Sequence, residues 1–288
     1  MGRKRERWPE LCDLVHPDDG LPVRDAGIWT EDKLWYWNRY LEITTSAMVG
    51  NPKWDGGIIY VDLFGGPGVI QIRDSRRRIP GSALLAANTP KPFDKLIVCE
   101  KDEQLARVCK TRLESAGAGD RSTILVGDCN DLIDEVVAAI PTRALTLAFI
   151  DPEGLHIHFQ TIEKLAHGRK VDLLVLFADS MDLVRNVAFY AQQSESNLDR
   201  FLGSDCDWRT QWQNLPNQSR ENVCKLFQEI YQTQLNQKLG YEVFADQVMR
   251  SRTTAIYRVI YASKHPKGLE FWNKISRIDR SGQQTLFG

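Results

Sequence analysis

The chain has 288 residues, 42% of them hydrophobic and 26% charged, with 20 Gly and 12 Pro. That composition excludes disordered, collagenous and coiled-coil classes, and the length suffices for one large α/β domain with or without an appendage. Lys and Arg number 37 against 38 Asp and Glu, so any electrostatic grip on nucleic acid has to be local.

Residues 9–27, punctuated by Pro9, Pro17 and Pro22, read as an irregular arm. Thr30-Glu31-Asp32-Lys33 then opens a helix, with Thr30 as N-cap and acids in its first turn. Leu34, Trp37, Tyr40, Leu41 and Thr44 recur along it at helical spacing. Trp35-Tyr36-Trp37 fits packing of this helix better than base stacking. Residues 1–57 therefore form an N-terminal arm and helical cap. From 58 to 181 strands and helices alternate. Apolar runs at 58–62, 95–100, 123–126, 145–150 and 171–177 each end in Gly, Asp or Glu, with helices at 102–115, 130–140 and 159–167 between them. This is the pattern of an α/β protein with a doubly wound, mostly parallel sheet, in which ligands sit beyond the carboxyl ends of the strands. Residues 182–240 read as a polar helical insertion. Tyr241–Met249 and Thr254–Ala262 form a hairpin around Arg250-Ser251-Arg252 that completes the sheet, before a final helix and tail to 288.

The six cysteines (Cys12, Cys99, Cys109, Cys129, Cys206, Cys224) show no metal-ligand spacing and read as reduced thiols. No apolar run reaches the roughly 18 residues of a membrane span, and the basic start MGRKRERWPE lacks the apolar core of a secretory signal. A cytoplasmic protein without a membrane partner is expected.

Asp62-Leu63-Phe64-Gly65-Gly66-Pro67-Gly68, at the end of the first strand, fits D-x-F-x-G-x-G and resembles the cofactor loop of S-adenosylmethionine-dependent methyltransferases. Glycines there let backbone approach a ligand closely, which makes Asp62, Phe64, Gly65, Gly66 and Gly68 candidate cofactor residues. Glu100 ends the second strand where an acid can accept from both ribose hydroxyls. Asp128 ends the third, placed for an adenine amino group and equally for a helix N-cap. Three acids around one glycine loop favour S-adenosylmethionine over a nicotinamide nucleotide. The latter prefers G-x-G-x-x-G running into a helix, with its acid about 20 residues on.

Residues 69–81 read as an insertion before a helix N-capped by Ser82. They carry Arg73, Arg76, Arg77 and Arg78, a cluster suited to the phosphates of a nucleic-acid substrate or to a solvated loop. The fourth strand ends Asp151-Pro152-Glu153-Gly154, the position of the D-P-P-Y type motif in methyltransferases that modify exocyclic amines of bases. Glu153-Gly154 removes the stacking aromatic and leaves Asp151, beside Pro152, as proton acceptor or general base. His156 is a second candidate for a catalytic role, and Phe149 reads as core. Lys33, Arg39 and Arg185 read as solvated surface charge more readily than as residues of the pocket mouth. Arg250, Arg252, Lys264, His265 and Lys267 form a basic set suited to a phosphate surface. A Mg²⁺ nuclease using the strand-end acids is a weaker reading.

The ordered segments Thr30–Leu34, Tyr60–Gly68, Gly81–Leu84, Ala148–Leu155 and Tyr261–Pro266 together resemble the three-Cys-motif partner protein family over nearly the whole chain. The resemblance implies a bacterial or phage-associated protein acting beside a three-cysteine companion that is similar to radical S-adenosylmethionine proteins. The family usually has D-P-F/Y-G at 151–154 and Ala at Gly65. The combined expectation is a Rossmann-like class I methyltransferase fold with a seven-stranded sheet. It would transfer a methyl group from S-adenosylmethionine to a nitrogen or oxygen nucleophile in nucleic acid. The rival is a non-catalytic scaffold for the companion.

Overall fold

The computed structural model describes residues 6–251 and 254–280, so Arg252 lies outside the described residues. In chain order the first elements are α1 (Trp8–Val15), β1 (Arg24–Ala26), α2 (Trp29–Met48), β2 (Ile58–Asp62), β3 (Val69–Ile72), β4 (Arg78–Pro80) and α3 (Ser82–Ala87). β5 (Lys95–Glu100), α4 (Glu103–Ser115), β6 (Ser122–Val126), α5 (Cys129–Ala138), β7 (Leu145–Ile150), α6 (Phe159–Ala166) and β8 (Lys170–Phe177) follow. A π-helical turn at Asp179–Leu183 leads into α7 (Val184–Ala191), α8 (Asn197–Leu202), α9 (Trp208–Gln213) and α10 (Arg220–Leu239). β9 (Val243–Ser251), β10 (Thr254–Ser263) and α11 (Pro266–Ser276) close the described chain.

Seven strands form one sheet in the order β6-β5-β2-β7-β8-β10-β9. β2, β5, β6, β7 and β8 are mutually parallel, and β10 runs antiparallel to both β8 and β9. Every residue of β2 and β7 is buried, as central strands covered by helices on both faces require. The chain steps outward from β2 to β6 and then returns to β7, so its topological switch point lies between β2 and β7, where such sheets open a ligand crevice.

The two faces carry separate cores. One holds α2, α3, α4 and α11; the other holds α5, α6 and the helices of 184–239. On the first, Trp37 stacks on Phe149 (centroids 5.1 Å apart) and on Tyr40 (5.8 Å). The aromatic run of α2 is thus packing, and Phe149 is core.

Three local expectations are corrected. The arm at 9–27 is not irregular: it carries most of α1 and all of β1, and β1 pairs in parallel with β3 of the 69–81 insertion, which pairs with β4, as a small second sheet. Thr30 is not an N-cap, because α2 starts at Trp29 and buries Thr30 in its first turn. Ser82 is the first residue of α3 rather than its cap. Its hydroxyl donates to Asp62 instead. Among the described residues no helix is long and apolar enough to cross a membrane.

Candidate active site

Beyond the carboxyl ends of β2, β5, β6 and β7 lie two adjoining cavities of about 360 and 440 Å³, which share Arg24, Phe64 and Glu153 as wall. The side chains of Arg24 and Glu153 form an ion pair on that shared wall. Each cavity falls in the size range of small-molecule sites.

The loop after β2 floors the first cavity. Gly65 is fixed by close approach: a Cβ there would lie 2.2 Å from Val98 Cγ1, while its amide donates to the Cys99 carbonyl at 2.8 Å. Gly66 has φ +59°, a left-handed conformation that side chains rarely adopt. A Cβ at Gly66 would meet nothing nearer than Arg24 Nη1 at 3.9 Å, so it would protrude into the cavity that the loop lines.

Asp62 lines neither cavity, which corrects its assignment as a cofactor contact. It is fully buried and accepts from Ser82 Oγ (2.5 Å), Tyr60 OH (3.0 Å) and the Phe64 amide (3.2 Å), so it pins the glycine loop to β2 and α3. Burial pushes its carboxyl from 3.8 up to about 6, against those three hydrogen bonds. The folded state therefore holds this proton more tightly than the unfolded one. The group contributes most stability below the unfolded value of about 4 and loses about 3 kcal/mol of it as pH rises through 6. Asp62→Asn is expected to flatten that segment of the stability profile, measured by urea unfolding at stepped pH. A slope identical to wild type between pH 4 and 6.5 would remove Asp62 as its source.

Glu100 and Asp128 line the 440 Å³ cavity together. Glu100 is oriented by two amides, Gly66 N to Oε2 and Asp102 N to Oε1, both at 2.8 Å, and a carboxylate so held keeps lone pairs for a further donor. Asp128 is both cavity wall and N-cap: it accepts from the Asn130 amide at 3.0 Å and pairs with Lys101 at 3.0 Å. Burial opposes its ionisation, but the Asn130 amide and Lys101 outweigh it and hold the carboxyl below the usual range. His156 lines this cavity as well and not that of Asp151.

Asp151 and Pro152 line the 360 Å³ cavity beside Gly66 and Gly68. Asp151 Oδ2 pairs with the ammonium of Lys33. Lys33 is only 6% exposed and lies 5.9 Å from the Phe149 ring centroid and 5.6 Å from that of Tyr257. Its reading as solvated charge is overturned. The signal was the spacing to Trp37, one helical turn on, which puts Lys33 on the stripe that packs against Phe149. Tyr257 was missed altogether. Its hydroxyl is buried without a partner among the described residues, it lines the same cavity, and burial raises its phenol well above 10, so it stays a donor.

The arginine cluster is dispersed. Arg73 lines the first cavity. Arg76 is exposed and lies 3.7 Å from Asp25, Arg77 pairs with Glu31, and Arg78 reaches Asp18 at 2.6 Å and the Pro17 carbonyl at 3.0 Å. Three of the four thus tie the β3–β4 hairpin to the N-terminal segments. Arg39 donates to the Ile275 carbonyl at 2.8 Å, and Arg185 is exposed on α7; neither lines a cavity here.

No family model and no curated protein matches the chain. Among solved structures, protein LPL1258 of Legionella pneumophila superposes with a TM-score of 0.51 at 12% identity, covering 87% of this chain and 93% of that one. The O-methyltransferase TomG of Streptomyces achromogenes, in complex with S-adenosylmethionine, gives 0.44 at 12% identity over 92% and 100%. The O-methyltransferase of Bacillus cereus, in complex with S-adenosylhomocysteine, gives 0.45 at 11% over 89% and 96%. The likeness to LPL1258, with the strand order and the antiparallel β10, shows a Rossmann-like α/β fold built on a mostly parallel seven-stranded sheet.

Proposed function

We propose that the chain is an S-adenosylmethionine-dependent methyltransferase acting on a nitrogen or oxygen nucleophile. The observation that carries this reading is the division of labour across one cleft. Glu100 and Asp128 form an acidic half, and Asp151 stands beside the glycine loop in the other. The donor set fits the cofactor: two oriented carboxylates for ribose and adenine donors, and a glycine cradle that a Cβ would fill.

When bound, S-adenosylmethionine supplies an electrophilic methyl group on its sulfonium. The residues of the chain do the rest. Glu100 accepts from the ribose hydroxyls and Asp128 from the adenine amine, while Phe64 and the 65–68 loop wall the cofactor. Asp151 Oδ1 has no donor among the described residues, and it accepts the hydrogen of the nucleophile. Lys33 holds the other oxygen and so fixes the carboxylate. Such catalysis is mainly alignment in a site that excludes water. Arg24 and Arg73 at the wall are the local cations on which a nucleic-acid acceptor would rest. Kinship with the three-Cys-motif partner proteins, and the companion it implies, rests on the sequence segments alone.

Calorimetry tests the cofactor half. Wild type is expected to bind S-adenosylmethionine, and Glu100→Ala to weaken it by about tenfold or more, the worth of hydrogen bonds to a charged group. No binding at millimolar cofactor would sink the proposal. Labelled methyl transfer into RNA, DNA or protein then identifies the acceptor. A second reading is a scaffold that binds the cofactor without reacting. The Lys33–Asp151 pair favours it, since it partners the carboxylate before a substrate arrives. Cofactor binding with no transfer to any acceptor, with or without the companion, would select that reading.

A further inference from the structure

The fold splits the basic set read near the end of the chain. Arg250 pairs with Ala255 on the β9–β10 hairpin, toward the carboxyl end of β8, where Arg258 faces Phe177. Lys264, His265 and Lys267 follow β10, whose Ala262 lies opposite Leu173, so they stand where β8 begins. There they meet Lys53, from the turn after α2, and Lys170, the first residue of β8. All five line one cavity of about 190 Å³, whose apolar walls include Met48, Val171 and Phe271.

This mouth gathers more positive charge than its surroundings neutralise. Lys53, Lys170 and Lys267 are exposed, and neither Lys53 nor Lys170 has an ion-pair partner among the described residues. The Lys53 ammonium lies 5.0 Å from the centroid of the Trp54 ring. Glu270 pairs with Lys267 and with Lys274, both at 2.6 Å, so one carboxylate serves two ammonium groups.

Lys264 donates to the carbonyls of Ala166 at 2.7 Å and Arg169 at 3.3 Å. Burial, and then the charge of Lys170, hold its ammonium below the ordinary lysine value. The acid in the lining, Asp172, is engaged inward: Ser263 donates to Oδ1 at 2.7 Å, and Tyr40 to Oδ2 at 2.7 Å. Burial also pushes its carboxyl up, so it offsets little of the field. Like charges around one mouth repel, and an anion relieves that repulsion. In a chain of net charge −1, such a field is local.

We infer that this face binds single-stranded nucleic acid, its backbone along the lysines and one unpaired base at the apolar cavity. Exposed ammonium groups on separate elements are mobile point charges, which suit a chain of repeated phosphates. A single small anion would need donors that converge. The cavity sets the preference for a single strand. Its volume lies below that of drug-sized sites, and its apolar walls suit one ring system. A paired base keeps its faces stacked in the duplex, whereas an unpaired one can leave water there. The face is at the opposite end of the sheet from the cleft, so the inference does not rest on the chemistry proposed there.

Fluorescence anisotropy of the full chain, without cofactor, tests the inference. The probes are labelled oligothymidylate, its duplex with oligoadenylate, and an abasic strand of the same length. The single strand is expected to bind with a dissociation constant of roughly 1–100 μM at low salt. The duplex and the abasic strand should each bind at least about fivefold more weakly, the worth of one stacked base. The triple variant Lys53→Gln, Lys170→Gln, Lys267→Gln leaves Glu270 its bond to Lys274 and should keep the wild-type thermal midpoint. Its plot of log affinity against log salt should be shallower by about 2, three contacts at about 0.7 each. Wild-type affinity in the folded triple variant would overturn the inference and put any binding at the cleft. Equal affinity for the abasic strand or the duplex would overturn it too, as would tighter binding to vesicles of anionic phospholipid.

Discussion

Asp151→Asn is expected to slow methyl transfer by roughly 10²- to 10⁴-fold, the usual worth of a positioned proton acceptor, while cofactor affinity stays within about threefold of wild type. The substitution also strips the counter-ion from the Lys33 ammonium, which is buried against Phe149 and Tyr257. A loss of stability of about 3 kcal/mol accompanies it, since breaking a buried pair from one side leaves an uncompensated charge. The double variant Lys33→Met, Asp151→Asn separates the two effects: stability recovers and activity does not. Single-turnover rates with labelled cofactor, beside urea unfolding, read both quantities. Transfer at the wild-type rate in folded Asp151→Asn would remove the carboxylate from the reaction.

The second large effect is on the fold. Glu31 is fully buried, and its Oε1 gathers Arg77, Arg280 at 3.0 Å and the indole N–H of Trp8 at 3.2 Å. One carboxylate thus clips α1, the β3–β4 hairpin and the segment after α11 to the first turn of α2. Replacing Arg77 and Arg280 together by Met strands that charge and is expected to destabilise the chain by about 3 kcal/mol. This is the low end for a buried pair, because both guanidinium groups are partly exposed. Adding Glu31→Leu to that variant should restore most of the loss, as an apolar replacement of the whole group removes the desolvation penalty. Urea unfolding measures both steps. A change under about 0.5 kcal/mol on losing both arginines would show that Glu31 is solvated well enough without them.

The sheet and its strand-end acids could be found from the sequence because parallel strands are buried on both faces. Ile58–Val61 is therefore an unbroken apolar run and Leu145–Ile150 one interrupted only by Thr146, and the first charge after each marks the carboxyl edge. The small sheet left no such trace. β1 and β4 have three residues each, too few for a period, and β1 finds its partner β3 far along the chain. The arginines of 73–78 misled for a related reason. A long guanidinium side chain takes whatever carboxylate the tertiary fold brings near, and here that was Asp18, Asp25 and Glu31 for three of them. Asp62 shows the converse. Its place in the loop motif was plain, but only packing shows that Ser82 and Tyr60 turn it inward.

The ion pair between Arg24 and Glu153 has a consequence for how the cleft can fill. Arg24 belongs to β1 of the small sheet, whereas Glu153 follows β7 of the large one, so the wall between the cavities is a seam between separately built parts. With the Glu153 side chain 75% exposed, such a pair is worth at most about 1 kcal/mol and weakens with salt. A ligand long enough to occupy both halves can part the seam at a cost one of its own hydrogen bonds offsets. Glu153, where the resembled pattern carries an aromatic, is thus one half of a weak, salt-sensitive pair across that seam.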